Sequence, residues 1–422
     1  MSPTRRLLLL PVLAVLATAC TDSADPVLAT GPSARSTESN SEKGIFHRFV
    51  SIGTSISMGW QGDGVLSTGQ VESWTAQLAR LAGREQSLPL ISFPGCRSPL
   101  ASPLSAGVRL SGEGAGQNPL TLGCAPNEVG VTLPAQNVAI SSARTADVIN
   151  ATPESKAGME YGPLYARVLA PGTTQLEAAL SQKPKFISIE LGGNEVLGAR
   201  SGIAVPGVTM VPVAAWKPDF TAIATAVGRA VKKGILVGLV NDVADFPSFR
   251  RGSEIWADRG VLGALNVSVS ANCDGSTNLI FVPVRIPTAV GTAAFLKSKG
   301  LGAFTFSCAD VPGAQDYVLT PKDVGVVNAQ LAEMNAHIAG EAARIGFAYM
   351  ALDELYGRPD VKPVYSTAAL LSGPTPYGTA MSLDGIHPSQ AGHAILASAA
   401  ARAINARYGT SIPETGPLAT LR

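Results

Sequence analysis

Runs of nearly uninterrupted apolar residues punctuate the chain, and the stretches between them carry apolar side chains at helical spacing. Residues 46–52 (FHRFVSI), 186–191 (FISIEL), the run ILVGLV before Asn241, and 348–352 read as strands. Strands without polar alternation are those buried on both faces. Residues 74–81 (WTAQLARL), 220–233 and 389–406 read as helices. Over 323–345, Val327, Leu331, Met334 and Ile338 recur about one turn apart and predict a long amphipathic helix that Gly346 stops. Pro388 opens the last helix and Gly409 follows it. Apolar strands separated by helices predict an α/β fold, with a parallel sheet covered on both faces.

Two stretches break this rhythm. Residues 94–136 are rich in Gly, Pro and Ser, and 247–320 contain a β-like segment at 279–286. Both read as insertions into one domain spanning 45–408, followed by a loose tail over 409–422. With 422 residues of which 46% are apolar, the chain has material for a large core. Its 32 basic and 31 acidic residues balance to a formal +1. Nucleic acid or an anionic membrane surface as partner would call for a one-sided field, which this balance argues against.

The beginning of the chain has the pattern of an export signal. Arg5 and Arg6 precede an apolar run over 7–19, too short to span a bilayer comfortably. The run ends Leu16-Ala17-Thr18-Ala19-Cys20, which resembles a bacterial lipobox. That resemblance implies a signal peptide over 1–19 and lipidation of Cys20; an ordinary signal peptide with a chance cysteine is the alternative. Residues 20–44, rich in Ser, Thr, Asp, Gly and Pro, then read as a flexible tether. Thr21 carries no inner-membrane retention signal, so the outer membrane is the favoured destination. Setting Cys20 aside, four of the five cysteines remain: Cys96, Cys124, Cys273 and Cys308. An even number in an oxidising compartment suggests two disulfides. Of three pairings, Cys96–Cys124 with Cys273–Cys308 is favoured, each closing one loop. A zinc site is the alternative, but neither CxxC nor HxxxH spacing occurs.

Three short blocks carry candidate chemistry. Gly53-Thr54-Ser55-Ile56 follows the first strand, at the carboxyl end of a parallel sheet where ligands bind. Gly192-Gly193-Asn194-Glu195 follows FISIEL, and an asparagine there has a side-chain N–H to offer an oxyanion. Near the end stands Asp384-Gly385-Ile386-His387-Pro388. An Asp and a His three residues apart fit one tight turn, the carboxylate holding Nδ1–H and leaving Nε2 as general base. Each block by itself is compatible with a turn or a surface loop; their order along the chain is the stronger signal.

In that order the blocks resemble those of the GDSL, or SGNH, hydrolase family. The family's Gly-Asp-Ser-Leu reads Gly53-Thr54-Ser55-Ile56, its Gly-x-Asn-Asp reads Gly192-Gly193-Asn194-Glu195, and its Asp-x-x-His-Pro reads Asp384 to Pro388. Its glycine block is similar to Asn137-Val138-Ala139-Ile140-Ser141-Ser142-Ala143, with Ser142 where the family has glycine. The resemblance covers roughly residues 45–408. It implies a three-layer α/β/α fold with a parallel, flavodoxin-like central sheet, and esterase or lipase-like activity without a cofactor or metal. Ser55 would be the nucleophile, His387 the base and Asp384 its orienting acid. The oxyanion would be held by the N–H groups of Ser55 and Ser142 and by the Asn194 side chain, with Gly95 as a substitute for Ser142. The substrate would be a small-molecule, carbohydrate or lipid ester. Thr54 for Asp, Ile56 for Leu and Glu195 for Asp are further departures. A catalytically inactive, ligand-binding lipoprotein on the same fold is the alternative reading, and a purely structural surface lipoprotein a third.

Other polar candidates read as structural. His393 lies on the last helix, His47 at a strand start and His337 inside the long helix. Gly112-Glu113-Gly114-Ala115-Gly116 lacks the strand, helix and lysine of a nucleotide loop. Trp60 and Trp216 read as buried rather than as lining a groove.

Overall fold

The computed structural model describes residues 44–116 and 122–415. The expected signal peptide, Cys20, the tether up to residue 43 and the tail from 416 onward lie outside the described residues. The strands among them are β1 (Phe49–Ile52), β2 (Phe186–Glu190), β3 (Gly234–Gly238), β4 (Phe249–Arg251), β5 (Val267–Val269), β6 (Leu279–Phe281), β7 (Phe304–Phe306), β8 (Val318–Leu319) and β9 (Ala348–Ala351).

β1, β2, β3 and β9 form one parallel sheet in that order. Every residue of β1, β2 and β3 is buried, which is why these segments carry no polar alternation. Residues 136–140 run parallel along the free edge of β1. Ser51 N–H donates to Gln136 O (2.9 Å), Val138 N–H to Ser51 O (2.9 Å) and Ile140 N–H to Gly53 O (3.1 Å). Counting that segment as an irregular strand, the spatial order is second, first, third, fourth, fifth, which is the flavodoxin-like order.

Helices cover both faces. The main ones are α1 (Ser55–Met58), α2 (Trp74–Leu81), α3 (Thr145–Asn150), α4 (Val213–Ala230), α5 (Val282–Ser298), α6 (Pro321–Ile345) and α7 (Gln390–Tyr408). α4 and α6 pack together against one face, α2 and α7 together against the other. α6 starts where Thr320 and Asp323 exchange side-chain to backbone hydrogen bonds of 3.2 and 3.0 Å, with Pro321 in its first turn. It ends at Gly346, whose φ of +77° suits glycine. No helix among the described residues is long and apolar enough to cross a membrane.

Several elements differ from the pattern-based reading. Residues 46–48 form a short 3-10 turn, so β1 begins only at Phe49. α4 begins at Val213, upstream of the expected 220, and runs through Pro218. Burial of Val213 and Trp216 outweighs the one backbone hydrogen bond that proline removes. The β-like segment 279–286 is a strand only to Phe281; Pro283 then sits in the first turn of α5. The tail is not loose throughout. Ile412 is buried, and its N–H and carbonyl pair with the Asn405 side chain.

Both insertions fold onto the domain. In the first, Cys96 is bonded to Cys124; in the second, Cys273 to Cys308. The second builds two small sheets of its own, antiparallel β4-β6-β8 and parallel β5-β7.

Candidate active site

The chain leaves β1 through Gly53 and Thr54 and turns at once into α1, whose first residue is Ser55. A Cβ on Gly53 would lie 2.5 Å from Ser57 Cβ, so the turn closes only with glycine. Beneath it sits Glu190, the last residue of β2 and fully buried. Its carboxylate accepts Thr54 N–H (3.0 Å), the Thr54 hydroxyl (2.8 Å) and Ser57 N–H (3.2 Å). Burial pushes the Glu190 carboxyl above the ordinary range, and these hydrogen bonds oppose the shift. Thr54, the departure from the family's aspartate, therefore has a defined partner. Sequence reasoning missed Glu190, although a lone charge inside FISIEL was a visible signal, since a buried carboxylate needs donors.

The structure brings Ser55, His387 and Asp384 together at the carboxyl end of the sheet. Ser55 Oγ lies 2.9 Å from His387 Nε2, and His387 Nδ1 lies 2.9 Å from Asp384 Oδ2. A carboxylate only accepts, so Nδ1 donates to Asp384, and Nε2 is the ring atom that faces the Ser55 hydroxyl. Asp384 is buried and takes three further donors: Ile386 N–H (2.9 Å) and His387 N–H (2.8 Å) on Oδ1, and Asp63 N–H (2.7 Å) on Oδ2. Burial by itself would raise its pKa; the His387 ring and the N–H groups of His387 and Asp63 outweigh burial and hold it down to about 2. Gly385, at φ +69°, lies with its Cα against the Tyr377 ring, where a Cβ would come within 2.8 Å. The tight Asp-to-His turn thus depends on glycine there.

The residue that reaches Asp384 from outside the block, Asp63, is fixed by the first insertion. Its carboxylate pairs with Arg109 Nη2 at 2.8 Å and Arg97 Nε at 3.2 Å, and Gly62 N–H donates to Ser382 Oγ (3.0 Å). Buried Arg109 also donates to the carbonyls of Asp63 and Ser98. The second insertion docks on the other side, where Ser248 N–H donates to Gly385 O (3.2 Å).

Asn194 and Glu195 tie the Gly192–Glu195 block to the 142–145 turn. Asn194 Nδ2 donates to Ala143 O (2.9 Å), which occupies one of its two N–H groups. Glu195 is buried and accepts Thr145 N–H (2.6 Å), and the Thr145 hydroxyl accepts Trp216 Nε1–H (2.8 Å). Burial raises the Glu195 carboxyl. Ser142 takes φ +63°, the left-handed backbone that a glycine would adopt freely. The Ser55 N–H, at the start of α1, is one of the groups a helix leaves unpaired internally. Gly95 does not serve as the substitute for Ser142. Its N–H donates to Ser92 O (2.8 Å), and its carbonyl accepts from Ala125 inside the first insertion.

From Ser55, His387 and Asn194 a cavity of about 90 Å³ extends between the β3–β4 connection and α6. Beyond the polar end its wall is aliphatic and aromatic, with Leu239, Val240, Val243, Phe249, Val327, Leu331 and Leu352 all buried. Arg200 stands exposed at its rim.

The remaining candidates lie elsewhere. His393 is fully buried, accepts Trp74 N–H on Nδ1 (3.2 Å), and is pushed down to about 3 by burial. His337 meets the Thr221 hydroxyl and the Trp216 edge, and His47 is exposed. Trp216 is buried, as is Trp60, whose ring lies 6.4 Å from that of His387. Among the described residues, the first helix after the 112–116 glycines begins at Thr145.

No family model and no curated protein sequence matches the chain. Among solved structures it is similar to an acetylxylan esterase from Geobacillus stearothermophilus, at 14% identity over 84% of this chain and 93% of that one, with a TM-score of 0.34. It is also similar to a protein described as a GDSL-like lipase from Parabacteroides merdae, at 8% identity over 86% and 95% of the two chains, with a TM-score of 0.35.

Proposed function

We propose that this protein hydrolyses carboxylic esters through an acyl-enzyme formed on Ser55, as a serine esterase of the GDSL/SGNH type. The observation that carries the proposal is the continuous hydrogen-bond line from Ser55 Oγ through His387 to Asp384, set at the mouth of an apolar cavity. His387 Nε2 takes the Ser55 proton as Oγ bonds to the ester carbon. The oxyanion is met by the Ser55 and Ser142 N–H groups and the free N–H of Asn194. As the carbon–oxygen bond to the alcohol breaks, His387 passes its proton to the leaving oxygen. Water, deprotonated in turn by His387, then releases the acid and restores Ser55.

Two of the departures from the motifs, Thr54 and Ser142, have local structure compatible with this reading. Thr54 bonds to Glu190, and Ser142 adopts a positive φ that a glycine would also reach. Labelling by a fluorophosphonate probe and hydrolysis of p-nitrophenyl butyrate test the reading. Ser55→Ala should abolish both and leave the melting temperature unchanged. Hydrolysis undiminished in that variant, or a folded wild type that takes no label, would overturn it, the second being what a binding protein predicts.

Export and anchoring through lipidated Cys20, with the outer membrane as destination, form part of this proposal and rest on the lipobox-like Leu16 to Cys20. Incorporation of labelled palmitate in a bacterial host should be lost in Cys20→Ser; equal labelling of the variant would refute it.

A further inference from the structure

We infer that the ester's acyl group is an aliphatic chain longer than butyrate, lodged in the cavity that opens beside Asn194. This rests on the esterase reading and specifies its substrate. The polar side chains on its wall are Thr54, Ser55, Glu190, Asn194 and His387, with Arg200 at the rim; every other lining side chain is apolar. Further in, Val243, Phe249, Leu331 and neighbours offer carbon alone, so a sugar hydroxyl placed there would lose water and gain no partner. An acetyl methyl would fill the entrance and leave the remaining apolar volume empty, forfeiting the contacts that the wall provides.

The direction of the chain follows from the proton transfer. The leaving oxygen must face His387 Nε2, because that nitrogen returns the proton to it. The acyl carbon lies between Ser55 Oγ and the Asn194 amide, and the acyl substituent, pointing away from the leaving oxygen, enters the volume walled by Leu239 and Leu331. The alcohol then lies outside the cavity.

The test compares kcat/KM of the full chain on p-nitrophenyl acetate, butyrate and octanoate, and on ethyl, butyl and octyl acetate. Within the first series kcat/KM should rise about fourfold per methylene, the factor equivalent to about 0.8 kcal/mol for each CH₂ removed from water. The alkyl acetates should differ little. Leu331→Trp, which fills the cavity, should lower the octanoate-to-acetate ratio at least tenfold, and Val243→Trp is the second variant should the first not fold. Acetate as the best acyl group, a length preference confined to the alkyl acetates, or a ratio unmoved in both folded variants would each overturn the inference. Fluorophosphonate labelling of Ser55 separates the two levels. A labelled enzyme without acyl preference refutes only the chain pocket; an unlabelled, inactive one refutes the esterase reading and the inference with it.

Discussion

Replacing Asp384 by Asn removes one charge and almost no volume, and the surroundings of the carboxylate determine the cost. Both oxygens are occupied by donors, Oδ1 by the N–H groups of Ile386 and His387 and Oδ2 by His387 Nδ1 and Asp63 N–H. An amide has one acceptor oxygen, so whichever way it is turned its NH₂ faces two N–H groups. Turned toward Oδ1, it leaves two backbone donors unpaired, at about 1–3 kcal/mol each. Turned toward Oδ2, it drives the Nδ1 proton to Nε2, where the ring can no longer accept from Ser55. A loss of about 10⁴ in kcat is expected, or about 5 kcal/mol on the barrier. The assay is initial-rate hydrolysis of p-nitrophenyl butyrate near pH 8, with thermal melting to show that the variant is folded. A folded variant keeping more than a tenth of wild-type kcat would refute the reasoning. The same carboxylate ties stability to pH. Its pKa is about 2 when folded against an ordinary 3.8. The stabilisation, about 2 kcal/mol at ~1.4 kcal/mol per pH unit, is therefore complete above about pH 5 and is lost as pH falls toward 2. Urea unfolding at pH 5 and at pH 2.5 should show this loss in the wild type and not in Asp384→Asn; equal losses would contradict it.

Asn194→Ala should lower kcat by about 10²–10³ with little change in KM, since the lost donor acts on charge that develops only in the transition state; an effect on KM alone would refute that role. Glu190→Met should leave Thr54 N–H and Ser57 N–H buried without acceptors, costing about 3 kcal/mol of stability and part of the activity. Glu190→Gln should be much milder, because its carbonyl can still take both N–H groups while the Thr54 hydroxyl reverses to accept from the amide. Denaturant melts and kcat of the two variants check this, and equal effects would show that volume rather than hydrogen bonding matters at Glu190.

The central sheet and long helices were legible because their signals are local and repeated. Fully apolar strands and the one-turn spacing of Val327, Leu331, Met334 and Ile338 report burial directly. Gly346 and Pro388 mark boundaries by backbone geometry that acts within one turn. The Asp384–His387 turn was equally visible, because three residues of separation almost define the distance. Where local preferences competed with burial, the sequence misled: helix α4 continues through Pro218, and α5 replaces most of a β-like run. The Gly95 N–H, open to an oxyanion on sequence grounds, is taken up by the Ser92 carbonyl.

Tertiary structure alone decided what surrounds the candidate triad. Glu190 reaches Thr54 across 136 residues of sequence, and Asp63 reaches Asp384 across 321. Such contacts leave no periodic trace, because each depends on how strands order in the sheet and on where an insertion folds back. Arg97 and Arg109 sit in a stretch that reads only as a Gly-, Pro- and Ser-rich interruption, yet they hold the turn that donates to Asp384. The cavity is likewise a joint product of the β3–β4 connection, the start of the second insertion and one face of α6. The sequence could name the candidate reacting groups, since chemistry restricts which residue types can serve. The shape that selects a substrate is formed between segments and exists only once they pack.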